Sequence, residues 1–199
     1  VPSVEGKMLD GGIAYVQLFT FGEKTTAELK TTLTTLMAQK PKGLILDLRN
    51  NGGGYLNTAI EVVSQFVGKG VVMYEEYGDG TRKTFQAMPG GLATNIPLAV
   101  LVNEGTASAS EITAGAIQDY QRGVLVGVTT YGKGSVQNWV PLQDSQGAVR
   151  VTIARWLTPK ERQINKVGLK PDYEVKLTED DIKNNRDPQL DKAIEVLTT

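Results

Sequence analysis

The chain has 199 residues, of which 40% are apolar and 22% are charged, and its formal net charge is −1. This balance excludes a strongly basic surface, so we predict no nucleic-acid partner, and no apolar run reaches the ~20 residues that cross a bilayer. The sequence contains no histidine and no cysteine. Disulfides, thiol nucleophiles, the common zinc sites and a Ser-His-Asp triad are therefore excluded, and we predict neither a metal nor a cofactor.

The first quarter of the chain predicts a strand, a helix and a second strand. Apolar side chains occupy both alternating sets of positions in Gly11–Phe21, which indicates a strand with two apolar faces. Thr25 and Glu28 form a capping box before an apolar stripe, so we predict a helix that ends before Pro41. The apolar run Gly43–Asn50 ends in polar residues, which is typical of a buried strand whose carboxyl end reaches the surface.

Three glycines, Gly52–Gly54, follow this strand and precede a predicted helix. Such a turn leaves backbone N–H groups free and lets the main chain approach a ligand closely. The turn lacks the GxxxxGK[ST] and GxGxxG patterns of nucleotide sites. We therefore predict that this turn donates a backbone N–H group to an oxyanion, together with the N–H group of Ala109.

The central stretch alternates strands and helix. The pattern predicts a buried strand at Leu98–Val102, a helix from about Ala107 to Arg122, and the next strand at Val124–Val128. Lys133 lies in the loop after it. This alternation predicts a mixed α/β fold with the site at the carboxyl ends of the strands.

Two hairpins and a terminal helix complete the prediction. The first hairpin turns at Gly78–Gly80, and the second turns at QDSQG, residues 143–147. Residues Pro159–Val175 show no regular pattern of apolar residues, so no helix or strand is predicted there. Asp187 as N-cap and Pro188 at the first helical position begin a helix that we expect to dock on the core through one apolar side, Leu190, Ile194 and Leu197.

Ser108 lies where the central strand passes into its helix. Unpaired N–H groups and the positive end of the helix dipole are close to its hydroxyl, which suits a nucleophile or an oxyanion site. Ser108 and Glu111 also form a capping box, and on this element alone a plain helix cap is the more frequent role.

Lys133 lies between Gly132 and Gly134, where the backbone can bend sharply. A lone loop lysine is usually solvated. As a base near neutral pH it must be uncharged, which burial between the flanking apolar strands favours. Lysine can then replace histidine as the partner of a nucleophilic Ser108.

Gln137 and Asp119 are the two candidates to orient this lysine. Gln137 is about 13 Å from Lys133 along a straight strand, but a bend at Gly134 would bring its amide to the amine. Asp119 lies in the helix that follows Ser108, and its neighbours Tyr120 and Arg122 favour a structural ion pair. Geometry therefore favours Gln137.

Several blocks of the chain, among them GLILDLRNNGGG, NEGTASASEI, TTYGKGSVQ and TIARWLTP, resemble the carboxyl-terminal processing peptidases, also called tail-specific proteases. The resemblance covers nearly the whole chain in the right order. It implies a serine-lysine endopeptidase with a ClpP/crotonase-like core of repeated ββα units, added hairpins and a C-terminal helix. The roles that it implies are nucleophile for Ser108, general base for Lys133, orienting amide for Gln137, oxyanion donors for Gly53 or a neighbouring glycine and for Ala109, and a disputed catalytic role for Asp119.

The same resemblance implies a biological setting. We expect residues 1–199 to be one protease core domain that acts on the carboxyl-terminal tails of proteins or peptides outside the cytoplasm, and the resemblance leaves room for a homo-oligomer. A PDZ domain is expected immediately before residue 1, and the start without methionine suggests a fragment or a processed form. The alternative is a catalytically latent or non-catalytic peptide- or ligand-binding module of the same fold.

Overall fold

A computed structural model describes residues 1–143 and 147–199. Within these residues the elements in chain order are β1 (Val4–Leu9), β2 (Ile13–Leu18), α1 (Thr25–Met37), β3 (Gly43–Asp47), α2 (Leu56–Val63), β4 (Val71–Tyr77), β5 (Arg82–Gln86), β6 (Leu98–Val102), α3 (Ala109–Asp119), β7 (Val124–Gly127), β8 (Ser135–Pro141), β9 (Ala148–Leu157), β10 (Tyr173–Glu174), α4 (Glu179–Lys183) and α5 (Pro188–Thr198). The mixed α/β prediction is confirmed.

The larger sheet has the strand order β1-β2-β3-β6-β7-β10, and every pair in it except β1–β2 is parallel. Strands β3 and β6 are buried along their whole length, because helices cover both faces of a parallel sheet. Alternate side chains of β3 enter two separate cores. Leu44 and Leu46 pack with α1, α2 and α3 on one face, and Ile45 packs with α5 on the other.

The smaller sheet is antiparallel and has the order β5-β4-β9-β8. It contains both predicted hairpins. Residues 144–146 in the predicted turn of the second hairpin lie outside the described residues. Strand β8 forms one edge of this sheet and begins two residues after Lys133, so the two sheets meet beside the lysine loop.

Near the N-terminus one strand was not predicted and one predicted capping box is wrong. Residues 4–9, to which the sequence pattern assigned no element, form β1 and pair with β2 through a turn at Gly11 and Gly12. Thr25 and Glu28 do not form a capping box, since Lys24 is the N-cap residue. The Glu28 carboxylate accepts the N–H groups of Ser3 and Val4 instead, at 2.6 and 3.2 Å.

The C-terminal part is more regular than its pattern indicated. Tyr173–Glu174 forms β10, parallel to β7, and α4 is a further short helix that the pattern did not predict. The terminal helix is confirmed: the Asp187 carboxylate accepts the Leu190 N–H at 3.0 Å, and Pro188 begins α5. In the described part of the chain, no helix has the length and apolar character needed to cross a membrane.

Candidate active site

Three neighbouring parallel strands end at the same edge of the larger sheet. The glycine turn follows β3, Ser108 follows β6, and Lys133 follows β7. Parallel neighbours present their carboxyl ends side by side, where α/β proteins build their sites. The fold therefore brings together the three segments that the sequence singled out.

Ser108 has a strained backbone at the first turn of α3. Its φ and ψ angles are 59° and −118°, a combination that costs free energy for a residue with a side chain and that persists only where the surroundings impose it. The side chain is largely buried, with 8% of the residue exposed. Ser108 is also the N-cap residue, and its N–H donates to Glu111 Oε2 at 2.9 Å.

Glu111 joins the serine segment to the lysine segment. Its carboxylate is fully buried and, besides the Ser108 N–H, accepts the N–H groups of Gly132 and Lys133 at 2.6 and 2.9 Å and the hydroxyl of Thr130 at 2.7 Å. A carboxylate that accepts several hydrogen bonds can remain charged in the interior. The sequence pattern predicts Glu111 only as half of a capping box. The same helix also contains Gln118 and Asp119, so residue type alone does not single out Glu111.

The lysine loop is also held from its other side. The Tyr131 N–H donates to the Thr106 carbonyl at 3.0 Å, and the Leu169 N–H donates to the Thr130 hydroxyl at 2.7 Å. Gly132 has a φ of 89°, and a Cβ there would lie 3.1 Å from the backbone nitrogen of Gly168. The loop can therefore approach the 166–168 turn only because this position is glycine.

A cavity of about 440 Å³ opens beside these segments. Lys133 and Gln137 both line it, but Lys133 is exposed, so the burial expected from the flanking apolar strands is not observed. A β-bulge between Val136 and Gln137 shifts the register of β8 at this point. Such a bulge redirects the side chains that follow it. Ser108 is not among the lining residues but directly follows Ala107, which is. The described lining consists of Gly52, Ala107, Tyr131, Gly132, Lys133, Ser135, Gln137, Arg150 and Asn165.

The glycine turn lies against the start of α3. Gly53 has a φ of 101°, and a Cβ there would be 2.8 Å from the Ala107 carbonyl oxygen and 2.9 Å from the Ala109 nitrogen. The Gly53 N–H donates to Asn51 Oδ1 at 2.9 Å. The N–H groups of Gly52 and Ala109, in contrast, donate no hydrogen bond within residues 1–143 and 147–199.

Asn51 fixes the glycine turn to its surroundings and was missed in the sequence analysis. Its side-chain amide donates to the Leu18 carbonyl at 2.6 Å. Its backbone carbonyl accepts the Ala107 N–H at 3.0 Å and the Ser110 hydroxyl at 2.9 Å. These bonds connect β2, the glycine turn and α3. Nothing in the local pattern NNGGG distinguishes this asparagine from its neighbour.

Asp119 lies at the far end of α3 from Ser108. Eleven residues at 1.5 Å each separate the two by about 16 Å along the helix. The Asp119 carboxylate accepts Arg162 Nε and the Lys160 N–H, both at 2.8 Å. It forms an ion pair, as expected from the sequence, but with Arg162 rather than with its neighbours in the helix.

The sequence pattern of Peptidase family S41 matches residues 12–175. This chain belongs to peptidase family S41. It is 40% identical over 189 residues to a carboxyl-terminal-processing protease of Synechocystis, covering 94% of this chain and 44% of that protein. It is 42% identical over 163 residues to a chloroplastic C-terminal processing peptidase of Tetradesmus obliquus, covering 82% of this chain and 35% of that one.

A solved structure agrees with this assignment. The photosystem II D1 C-terminal processing protease superposes with a TM-score of 0.81 at 37% identity, covering 88% of this chain and 49% of that chain. The S41 domain described here thus spans less than half the length of each of these relatives.

A partly buried charge network lies behind the glycine turn of this S41 domain. Arg49 donates to the Asp47 carboxylate and, at 2.9 Å through each terminal nitrogen, to the Asp187 carboxylate. The Tyr15 hydroxyl donates to Asp47 Oδ2 at 2.6 Å, and burial together with the Asp47 charge raises the pKa of Tyr15 well above its usual value. The network connects the end of β3 to the start of α5.

Asp187 has a pKa below its ordinary value. Burial by itself would raise the pKa of this carboxyl, but the hydrogen bonds from Arg49 and from the Leu190 N–H outweigh it. The sequence pattern predicts only a capping role for Asp187. Its ionic partner is 138 residues away, so no local pattern could have indicated the pair.

Proposed function

We propose that this S41 domain is a serine endopeptidase that cleaves protein or peptide substrates near their carboxyl termini. Ser108 is the nucleophile, Lys133 the general base and Gln137 the amide that orients the lysine. The observation that carries the proposal is the Glu111 carboxylate, which binds the backbone N–H groups of both Ser108 and Lys133. A serine and a lysine 25 positions apart in sequence are thereby held in one hydrogen-bonded unit.

The proposed reaction passes through an acyl-enzyme. The neutral Lys133 amine takes the proton of the Ser108 hydroxyl as Oγ attacks the substrate carbonyl, and the resulting ammonium gives that proton to the departing amine. Water, deprotonated by the same amine, then attacks the ester and restores Ser108. The Gln137 carboxamide oxygen accepts a hydrogen bond from the amine and so fixes its direction.

Two backbone N–H groups are proposed to stabilise the oxyanion. The Ala109 N–H, at the first turn of α3, is one donor, and Gly53 is the other once its bond to Asn51 is released. Gly52, which lines the cavity, is the neighbouring alternative. Loss of one such donor typically removes about 2.7 to 4 kcal/mol of transition-state stabilisation.

Alanine variants of the two proposed reacting residues test the assignment. We expect Ser108→Ala and Lys133→Ala to abolish cleavage of an unfolded test protein, whereas Lys170→Ala, an exposed lysine outside the cavity lining, retains it. Full activity in either of the first two variants contradicts the proposal.

The Gln137→Ala variant tests whether Gln137 orients Lys133 without contributing to the stability of the fold. The variant is expected to lower the cleavage rate while leaving the urea midpoint unchanged, because Gln137 is exposed on an edge strand. An unchanged rate assigns the orienting role to another group.

A peptide-binding module without catalysis is the second candidate. The bond from the Gly53 N–H to Asn51 favours it, because one proposed oxyanion donor is already engaged. A fluorophosphonate probe distinguishes the two: covalent labelling of Ser108 supports the peptidase, and binding of peptide without labelling supports the module.

The biological setting is part of the same proposal. Some relatives are named as chloroplastic, and the resemblance supports an extracytoplasmic location for this domain. Fractionation of the source cells tests the location, and sedimentation velocity tests self-association.

A further inference from the structure

The charges that line the candidate cavity are of one sign. Among the nine described lining residues, Lys133 and Arg150 are basic, and none is acidic. The proposed mechanism uses Lys133 as a neutral amine, whereas a guanidinium keeps its charge at any ordinary pH. Arg150 therefore places a permanent positive charge in a cavity that supplies no counter-charge from its described lining.

Arg150 lies on the same face of the smaller sheet as Gln137. In the β8–β9 register Gln137 is opposite Thr152, and Trp139 is opposite Arg150. Side chains two residues apart along a strand share a face. The guanidinium lies 5.8 Å from the centroid of the Trp139 ring, and Trp139 is 67% exposed. On this face of the sheet, the exposed Trp139 ring and the Arg150 cation thus lie next to Gln137, the proposed lysine-orienting residue.

The other arginines are engaged by the protein. Each of the other six donates to a carboxylate or a backbone carbonyl, whereas Arg150 donates to neither within residues 1–143 and 147–199. The engaged arginines are Arg49, Arg82, Arg122, Arg155, Arg162 and Arg186. The five N–H donors of a guanidinium favour a planar carboxylate as partner.

We infer that Arg150 binds a substrate carboxylate, from either an acidic side chain or the free carboxyl terminus, close to the scissile bond. The inference rests on the proposed peptidase function. The step from Gln137 to Trp139 along β8 is ~7 Å, the length of two extended residues, so the recognised group lies about two residues from the bond that is cut. Arg150 is thus a residue that determines specificity, and the aliphatic part of the recognised residue packs on Trp139.

Binding measured in the Ser108→Ala chain tests this inference without depending on catalysis. The probes are fluorescein-labelled ten-residue peptides of alanine, serine and glutamine. One set has an amidated carboxyl terminus and a single glutamate at successive positions. A second has a free carboxyl terminus without glutamate, and a third is neutral. We expect one of the charged sets to bind about 5- to 10-fold more tightly than the neutral set.

Matched variants identify the residue responsible. Arg150→Gln is expected to remove the preference, Arg150→Lys to retain part of it, and Arg186→Gln, a surface arginine that pairs with α4, to leave it intact. The set that shows the preference identifies the source of the carboxylate. Equal binding of charged and neutral peptides, or a preference that survives Arg150→Gln, overturns the inference, whereas failure of Ser108 labelling bears only on the proposed function.

Discussion

Glu111 connects the two proposed reacting residues through their backbones. The buried carboxylate accepts four hydrogen bonds, three from N–H groups and one from a hydroxyl. A hydrogen bond to a charged group contributes more than one between neutral groups, and a buried donor without a partner is costly. The carboxylate therefore determines both local stability and the placement of Ser108 relative to Lys133.

Replacing this carboxylate with an amide should affect labelling and stability differently. Glu111→Gln leaves one acceptor oxygen and turns an NH2 group toward N–H donors, so we expect the free energy of unfolding to fall by about 2 to 4 kcal/mol. We also expect Ser108 labelling by a fluorophosphonate to slow at least tenfold in molecules that remain folded. Urea unfolding and labelling rates measure the two effects.

The control for this variant is Glu104→Gln, which removes an exposed carboxylate from the loop before α3. This control should change neither the free energy of unfolding nor the rate of Ser108 labelling. Unchanged labelling in the folded Glu111→Gln variant would show that Glu111 stabilises the fold without positioning the site.

Alanine variants of the adjacent glycines Gly52 and Gly53 provide a second pair of matched variants. A Cβ on Gly53 would lie 2.8 Å from Ser108 Cβ at a φ of 101°, whereas a Cβ on Gly52 would have no atom within 4 Å. We expect Gly53→Ala to destabilise the domain by about 2 kcal/mol or more and to abolish labelling, and Gly52→Ala to be tolerated. Thermal unfolding and labelling test this, and equal behaviour of the two variants would contradict the close contact.

At the scale of elements, the Arg49 network attaches α5 to the end of β3. Because Asp187 has a lower pKa in the folded protein than in the unfolded chain, its charged form stabilises the fold. That contribution is complete above the unfolded-state pKa, about 4, and is lost as the pH falls through the lower, folded-state pKa.

This predicts an acid-dependent weakening of α5 docking. Between pH 6 and pH 3 the free energy of unfolding should fall more steeply for the natural chain than for Asp187→Asn, which lacks this titration. Urea titrations across that range measure the difference. Parallel curves would show that the Arg49–Asp187 pair contributes nothing to the pH dependence.

At the scale of the whole molecule, α5 covers one of the two cores. Its residues Leu190, Ala193, Ile194 and Leu197 pack with apolar side chains of β2, β3 and β6. This helix lies beyond residue 175, where the match to the family pattern ends. A segment outside that match therefore covers the central strands β3 and β6 on one face of the sheet.

A charge within this contact should unfold the domain more readily. Ala193 is fully buried, so Ala193→Glu is expected to lower the free energy of unfolding by more than about 3 kcal/mol. Asp191→Ala, an exposed position in the same helix, should change it by less than about 0.5 kcal/mol. Similar urea midpoints for the two variants would contradict the docking role of α5.

The elements with strong periodic or continuous apolar patterns could be predicted from the sequence. Leu98–Val102 and the terminal helix are correct, because burial on both faces and an Asp-Pro start leave clear local signals. Strand β1 has exposed residues at half of its positions and is defined mainly by its pairing with β2. Local patterns do not contain that information.

The candidate site was only partly predictable for the same reason. Ser108 stands out by its position between a strand and a helix, Lys133 by its two glycine neighbours, and Gln137 by its spacing from Lys133. Besides local partners, Asn51 and Glu111 bind partners 19 to 59 residues away, which local patterns do not reveal. The catalytic assignment itself remains a prediction, which the Ser108 and Lys133 variants test.

The shared carboxylate also constrains how this domain can change during evolution. Because Glu111 binds both Ser108 and Lys133, an insertion or deletion between them is tolerated only where the chain can bulge outward without moving either end. Residues 130–133 do not meet that condition, because a change of one residue there would move the lysine segment away from the Glu111 carboxylate that holds it. We therefore expect natural length variation to be absent from the lysine loop.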